Sequence, residues 1–157
     1  MGFSKLAART VPSHGKYNPR NGRAVTRVIV HHWAGTQGGD ARLVNPSEAV
    51  SANYILYSDG TLVGQVDEAF RAWTTGGFDF DAPSITVEVQ NSAAGGDWPI
   101  SDAAYSKLIQ LIADIAQRYG WGGASAANVR GHREFVATAC PGPDVWARIG
   151  ALRAKAD

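Results

Sequence analysis

The clearest structural signal in the sequence is an amphipathic helix that begins after Ser101 and ends at Gly120. Serine is a favourable N-cap, and glycine is common just past the end of a helix because it tolerates positive φ. Between them, apolar residues recur at the helical period and form one stripe: Ala104, Leu108, Leu111, Ile112, Ile115 and Tyr119. A second helix is predicted to begin near Pro143. An apolar stripe must pack against another element, so the rest of the chain has to supply a matching surface.

That surface is predicted to be a β-sheet. Four segments rich in β-branched residues are typical of strands: VTRVIV (25–30), NYILY (53–57), TLVGQV (61–66) and SITVEVQ (84–90). The middle two flank the turn SDG, which predicts a hairpin with Gly60 at positive φ. Residues 1–24 show no sustained period and are predicted to form an irregular arm. Residues 25–157 are then expected to be one α/β domain.

The charge balance narrows the possible partners. Lys and Arg number 15 against 14 Asp and Glu, a net charge of +1, so neither nucleic acid nor an anionic membrane surface is an expected partner. No apolar stretch approaches the roughly 18 residues of a membrane-spanning helix, so no membrane insertion is expected. The N-terminal region also lacks the apolar run of a signal peptide. We therefore expect synthesis in the cytoplasm without a signal peptide.

Chemistry-bearing residues are few: the pair His31 and His32 directly after a predicted strand, His132, and the single cysteine, Cys140. Side chains alternate along a strand, so only one histidine of the pair can readily join a site with His132 and Cys140. Imidazole and thiolate are donors that zinc prefers, and three protein ligands with an open fourth position describe a catalytic site. Taken alone, a single cysteine is more often a buried hydrophobe. A nucleophilic role is less favoured than zinc binding, because no helix N-terminus lowers the pKa of Cys140 in an obvious way.

Glu88 is the acidic candidate, and its strand pattern leaves two interpretations open. Ile85, Val87 and Val89 occupy one face of the predicted strand, while Thr86, Glu88 and Gln90 occupy the other. The polar face could be the solvated side of an edge strand. It could also be the floor of a cleft in which Glu88 acts as a general base beside a metal-activated water.

Four blocks of sequence together resemble one enzyme family. In chain order they are VIVHHWAGT, SANYILYSDGTLVGQVDE, AWTTGGFDFDAPSITVEVQN and GHREFVATACPG. The resemblance is to the zinc-dependent N-acetylmuramoyl-L-alanine amidases, which include phage lysins and the peptidoglycan recognition proteins, and it covers about residues 25–150. It implies a central mixed β-sheet packed by helices and hydrolysis of the bond between N-acetylmuramic acid and L-alanine in bacterial peptidoglycan.

The resemblance also implies a role for each site residue. His31, His132 and Cys140 correspond to the zinc ligands of the family. Glu88 matches the glutamate that assists the attacking water, and Thr138 fills the place of a residue that stabilises the oxyanion. His32 is expected not to bind the metal itself but to lie behind the ligands and support them.

This chain departs from the family pattern at two positions. Alignment on the SDG turn puts Ala52 where many relatives carry a catalytic tyrosine, with Tyr54 two residues later as a possible substitute. Thr74 stands where relatives often carry histidine after Ala-Trp. Among the aromatic residues, Trp33 and Trp73 are candidates for the walls of a substrate groove, in which Tyr54 would also contact substrate.

We expect a phage endolysin that acts as a monomer on the cell wall after its release from the cytoplasm and causes host lysis. Two alternatives remain from sequence alone. Some members of the family bind peptidoglycan without cutting it, although loss of the cysteine often marks them and Cys140 is present. A peptidoglycan endopeptidase is the other alternative.

Overall fold

A computed structural model describes residues 2–157 and contains a mixed six-stranded sheet, a two-stranded sheet and four α-helices. The strands are β1 (Arg9–Thr10), β2 (Tyr17–Pro19), β3 (Arg27–His32), β4 (Tyr54–Leu56), β5 (Leu62–Gly64), β6 (Phe70–Ala72), β7 (Ser84–Val89) and β8 (Val129–Gly131). The helices are α1 (Gly39–Val44), α2 (Phe78–Asp81), α3 (Asp102–Arg118) and α4 (Pro143–Ala156). A short 3-10 turn, His132–Glu134, follows β8.

The main sheet has the order β1-β5-β4-β7-β3-β8. Strands β4 and β5 are antiparallel, whereas β7 pairs in parallel with both β4 and β3. This arrangement confirms the expected mixed sheet packed by helices. Because β7 lies at the centre of the sheet, the interpretation of its polar face as that of an edge strand is wrong.

The hairpin and the long helix form where the sequence predicts them. Gly60 has φ of 86°, and the Tyr57 N–H and Gly60 N–H close the turn on the carbonyls of Thr61 and Tyr57 at 2.9 Å each. The Ser101 hydroxyl accepts a hydrogen bond from the Ala104 N–H at 3.0 Å and caps α3. A serine cap of this kind stabilises a helix by about 1 kcal/mol.

Helix α3 packs its apolar stripe on one face of the sheet. Full burial of a Leu or Ile side chain contributes about 1.5–3 kcal/mol, so this stripe is a principal source of stability. The fully buried contributors from the helix are Ala104, Leu108, Leu111, Ile112 and Ile115, which meet Val28, Val30, Tyr54, Leu56, Ile85 and Val87 from the strands. Helix α3 therefore covers one face of the sheet, and the candidate functional residues lie towards the other face.

The N-terminal segment, predicted to be irregular, contributes two short strands. Strand β1 pairs in parallel with β5, and β2 pairs with β6. Buried Arg20 ties the segment to the domain, because its guanidinium donates to the carbonyls of Glu68, Ala82 and Ser84 at 2.6–3.0 Å. The pairing of β1 depends on the free edge of β5 and that of β2 on β6, and a local sequence pattern reveals neither contact.

Within residues 2–157, no helix combines the length and the apolar character that crossing a membrane requires.

Candidate metal centre

The side chains of His31, His132 and Cys140 converge at the end of the sheet where the carboxyl ends of β3 and β8 lie. One possible ligand atom from each lies within 4.8 Å of the other two, and the two imidazole rings are 4.4 Å apart between centroids. Strands β3 and β8 are parallel neighbours, with Val30 opposite Gly131, so the next residue of each chain segment emerges at the same end. Cys140 reaches this point from the loop that precedes α4.

Each histidine has one nitrogen engaged by Thr75 and one left free. Nε2 of His132 donates to the Thr75 carbonyl at 3.1 Å, which places the ring proton there and leaves its buried Nδ1 without a partner. Nε2 of His31 lies 3.3 Å from Oγ1 of Thr75. Burial lowers the pKa of both imidazoles, and the neighbouring histidines lower that of His31 further. Neutral rings with an unused nitrogen suit metal coordination.

Cys140 is placed as a ligand more readily than as a nucleophile. Its Sγ accepts a hydrogen bond from the His32 backbone N–H at 3.4 Å. Burial, together with the charge of Glu88, raises the pKa of the Cys140 thiol. A nucleophilic cysteine needs the opposite shift, whereas a bound cation stabilises the thiolate directly. The donor set of two neutral imidazoles and one thiol therefore fits zinc.

Glu88 lies beside the three clustered side chains. It is the register partner of His31 across β3 and β7, and its Oε1 is 3.9 Å from Nδ1 of His31. The carboxylate is 13% exposed, and burial raises the pKa of Glu88 to about 8, against a small opposing effect of Arg42. A carboxyl group with such a pKa can both accept and return a proton near neutral pH.

Thr138 also faces the site. Its Oγ1 accepts a hydrogen bond from the Cys140 N–H at 3.2 Å, which orients the hydroxyl and leaves its hydrogen available to another group. A hydroxyl donor fixed in advance can stabilise negative charge on a bound carbonyl oxygen.

His32 is not one of the three side chains whose possible ligand atoms cluster. Its ring packs edge-on against Trp98, with centroids 5.9 Å apart, and against Gly142. Gly142 has φ of 88°, and a Cβ there would approach the His32 ring to 2.9 Å. Burial lowers the pKa of His32, and its contribution to the centre is the backbone N–H that binds the Cys140 sulfur.

The site lies in a cleft of about 320 Å³, and a second hollow of about 430 Å³ shares Arg42, Val50 and Thr74 with it. Trp33 lines the first cleft, where its Nε1 donates to the Glu88 carbonyl at 3.3 Å. Trp73 lines the second hollow and donates to Asn18 Oδ1 at 2.7 Å. The two tryptophans therefore line two hollows that have three lining residues in common.

Tyr54 does not contact this cleft, and the expectation that it does is wrong. It is fully buried on the α3 side of the sheet, where its hydroxyl accepts from the Ser4 N–H at 2.6 Å and donates to Glu68. Ala52 belongs to the apolar cluster of Ile55 and Val63 on the other side. The two residues do not share a face because the chain before β4 departs from regular strand alternation.

Two residues at the site were missed by sequence reasoning, Thr75 and Asp81. Thr75 contacts both histidines, and Asp81 is a buried carboxylate that accepts from the Thr74 and Thr75 backbone N–H groups. Thr74, in the place of the family histidine, instead places its hydroxyl 2.5 Å from the Ser51 carbonyl and 2.7 Å from Thr86 Oγ1. The only sequence signal was an aspartate shortly after a Thr-Thr-Gly-Gly turn.

Comparisons with known proteins agree with the observed fold. A family model described as N-acetylmuramoyl-L-alanine amidase matches residues 21–143. A selenomethionine derivative of AmpD is 26% identical with 96% of each chain covered and a TM-score of 0.72. PlyL is 19% identical, with 99% of this chain and 98% of PlyL covered and a TM-score of 0.75. The Ph2119 endolysin from Thermus scotoductus MAT2119 bacteriophage Ph2119 is 19% identical, with coverages of 94% and 99% and a TM-score of 0.65. No curated protein sequence matches the chain.

Proposed function

The chain belongs to the N-acetylmuramoyl-L-alanine amidase family, and from this premise we propose that it cleaves peptidoglycan with one zinc ion held by His31, His132 and Cys140. The bond cut is the amide between N-acetylmuramic acid and the L-alanine of the stem peptide. The observation that carries the proposal is the convergence of these three side chains within 4.8 Å, with a histidine nitrogen left free for coordination. Three protein ligands leave a fourth position for water.

A zinc ion held by His31, His132 and Cys140 would supply Lewis-acid chemistry, lowering the pKa of a water ligand towards about 7 and polarising the amide carbonyl. Glu88 moves the proton. Its carboxylate takes a proton from the attacking water and then donates one to the amine that leaves with L-alanine. Burial raises the pKa of Glu88 above that of an exposed carboxyl, which makes the protonated form that donates to the leaving amine accessible near neutral pH.

Thr138 stabilises the oxyanion that forms on the amide carbonyl. Thr138 lines the cleft, and its Oγ1 accepts from the Cys140 N–H at 3.2 Å, so the hydroxyl hydrogen is not used in that contact. Removal of one such donor commonly slows a reaction about 100-fold or more.

The cleft around the metal centre and the neighbouring hollow together suit a polymeric substrate. The cleft around the site and the hollow beyond it are both open to solvent and share three lining residues. We assign Trp33 to the wall nearest the scissile bond and Trp73 to a more distant part of the bound peptidoglycan. Flat aromatic side chains suit sugar rings and peptide backbone at low entropic cost.

The biological role we infer is that of a phage endolysin that lyses the host after its release from the cytoplasm. The fold similarity to the Ph2119 endolysin of a bacteriophage supports this role. The proposed active form is a monomer, because one chain supplies all three ligands, the base and the oxyanion donor.

Digestion of purified peptidoglycan tests the reaction. The expected products carry new amino termini on L-alanine, without new reducing sugar ends, and mass analysis of the released peptides identifies the cut. Cleavage within the stem peptide would instead identify an endopeptidase. Cell-wall binding that survives chelation, with no bond cut, would identify a binding module.

A further inference from the structure

Thr75 lies behind the two histidines of the metal centre and contacts both of them. Its Oγ1 is 3.3 Å from Nε2 of His31, and its carbonyl accepts from Nε2 of His132 at 3.1 Å. The residue is only 3% exposed, so water cannot readily replace either contact. A single residue therefore holds the nitrogen of each ring that points away from the proposed metal.

Asp81 holds Thr75 in place. Both of its carboxylate oxygens lie 3.0 Å from the Thr75 N–H, and one also accepts from the Thr74 N–H at 3.1 Å. Asp81 is 1% exposed and ends α2, whose first turn is closed by the Asp81 N–H on the Gly77 carbonyl at 3.0 Å. The carboxylate at the end of the segment from Thr74 to Asp81 thus accepts hydrogen bonds from the backbone N–H groups of its first two residues.

We propose that Thr75 is a positioning residue for the metal centre and that Asp81 acts through it. This inference rests on the zinc site proposed above and extends that site beyond its three ligands. With Nε2 protonated and bound to Thr75, each ring presents Nδ1 with a free lone pair and cannot turn. Loss of the Thr75 hydroxyl leaves the Nε2–H of His31 buried without an acceptor, which favours another tautomer or ring orientation.

The geometry separates this role from simple loop closure. A residue that only stabilised the loop would affect unfolding of the metal-free protein and leave the affinity of the folded site unchanged. A positioning residue changes the affinity for the metal and the symmetry of its ligand field in protein that remains folded. Loss of a hydrogen bond to a metal-ligating histidine commonly weakens metal binding about 10–100-fold.

The test compares Thr75→Val, which keeps the size of the side chain, with Thr75→Ser, which keeps the hydroxyl. Zinc affinity is measured by competition with a chromophoric chelator, and visible absorption of the cobalt-loaded proteins reports the ligand geometry. We expect Thr75→Val to bind zinc about 10–100-fold more weakly with displaced cobalt bands, and Thr75→Ser to remain close to wild type.

Asp81→Asn tests the second part, because an amide would place an N–H₂ group against one of the backbone N–H donors. We expect it to weaken zinc binding in the same direction. Its matched control is Asp79→Asn, on the same helix but with the side chain 77% exposed and paired only with Arg23. That variant should bind zinc as wild type does.

Each other outcome overturns a defined part of the proposal. Wild-type affinity and cobalt spectrum in Thr75→Val, or equal weakening in Thr75→Ser, would overturn the role of Thr75. Reduced thermal stability of metal-free Asp81→Asn with wild-type zinc affinity would overturn the role of Asp81. If Asp81→Asn does not fold, Asp81→Ser replaces it, and wild-type zinc affinity in Asp81→Ser would overturn the role of Asp81. A wild-type protein that bound no zinc would refute the metal centre itself.

Discussion

His31 and Glu88 face each other in register on the parallel strands β3 and β7, with Nδ1 of the histidine 3.9 Å from Oε1 of the carboxylate. This distance is too long for a hydrogen bond, so neither group neutralises or fixes the other directly. The carboxyl group stays buried and carries a pKa of about 8 because of that burial. The pairing therefore sets a proposed metal ligand and a proposed proton carrier side by side while leaving both free to act.

Glu88→Gln should retain zinc and lose most of its activity. The amide fills the same space but cannot accept a proton, and general acid–base catalysis typically contributes about 10²–10⁴-fold. Zinc content by elemental analysis and initial rates on purified peptidoglycan measure the two effects. Asp102→Asn, at an exposed carboxylate in the first turn of α3, is the control and should leave both unchanged. Full activity in Glu88→Gln would refute Glu88 as the base.

Cys140→Ala and His132→Ala should each lose zinc and activity together. Each removes one of three clustered donors, and two remaining ligands hold zinc far more weakly. Elemental analysis after desalting gives the metal content, and peptidoglycan digestion gives the rate. His14→Ala, at an exposed histidine in the N-terminal segment, should keep both. Stoichiometric zinc in Cys140→Ala would exclude the thiol from the ligand set.

Thr138→Val should keep zinc and lower the turnover rate about 100-fold, since it removes the hydroxyl proposed to stabilise the oxyanion. Thr138→Ser keeps that hydroxyl and should remain within a few-fold of wild type. Steady-state kinetics on a soluble muropeptide separate kcat from KM. An effect confined to KM would instead assign Thr138 to substrate binding.

The sequence predicts those parts of the fold that depend on neighbouring residues. Ser101 caps α3 and Gly60 turns the hairpin because each acts within a few positions of itself. The cluster of His31, His132 and Cys140 could be predicted because these residues stand in recognisable blocks, although their convergence depends on the pairing of β3 with β8. Local chemistry and the family resemblance together were sufficient for these features.

Features that depend on tertiary pairing were not predictable. The central place of β7, which turns the face of Glu88 into a cleft floor, follows from its pairing with both β3 and β4. The assignment of Tyr54 to the cleft failed because the regular alternation it assumed does not hold around Asn53, whose side chain binds the backbone of Thr86 and Val66. Thr75 was missed because threonine in a loop carries no signal until the histidines are placed around it.

Tyr54→Phe should leave the turnover rate unchanged and destabilise the protein. The hydroxyl binds Ser4 and Glu68 on the α3 side of the sheet, and its loss leaves buried polar groups unpaired at a cost of about 1–3 kcal/mol. Urea unfolding measures the loss of stability, and digestion of peptidoglycan below the unfolding transition measures the rate. A large fall in kcat with unchanged stability would instead show that Tyr54 takes part in catalysis.

Chelation should lower the thermal unfolding temperature of the wild-type protein. A ligand that binds only the folded state stabilises it by about 2.7 kcal/mol when its free concentration is 100 times its dissociation constant. At about 2–4 °C per kcal/mol for a chain of this size, saturating zinc should raise the midpoint by roughly 5–10 °C over the chelated sample. Calorimetry of wild type and Cys140→Ala, each with zinc and with chelator, measures the difference. The variant should show almost no shift because its site is incomplete. An equal shift in both proteins would mean that the stabilising zinc binds elsewhere.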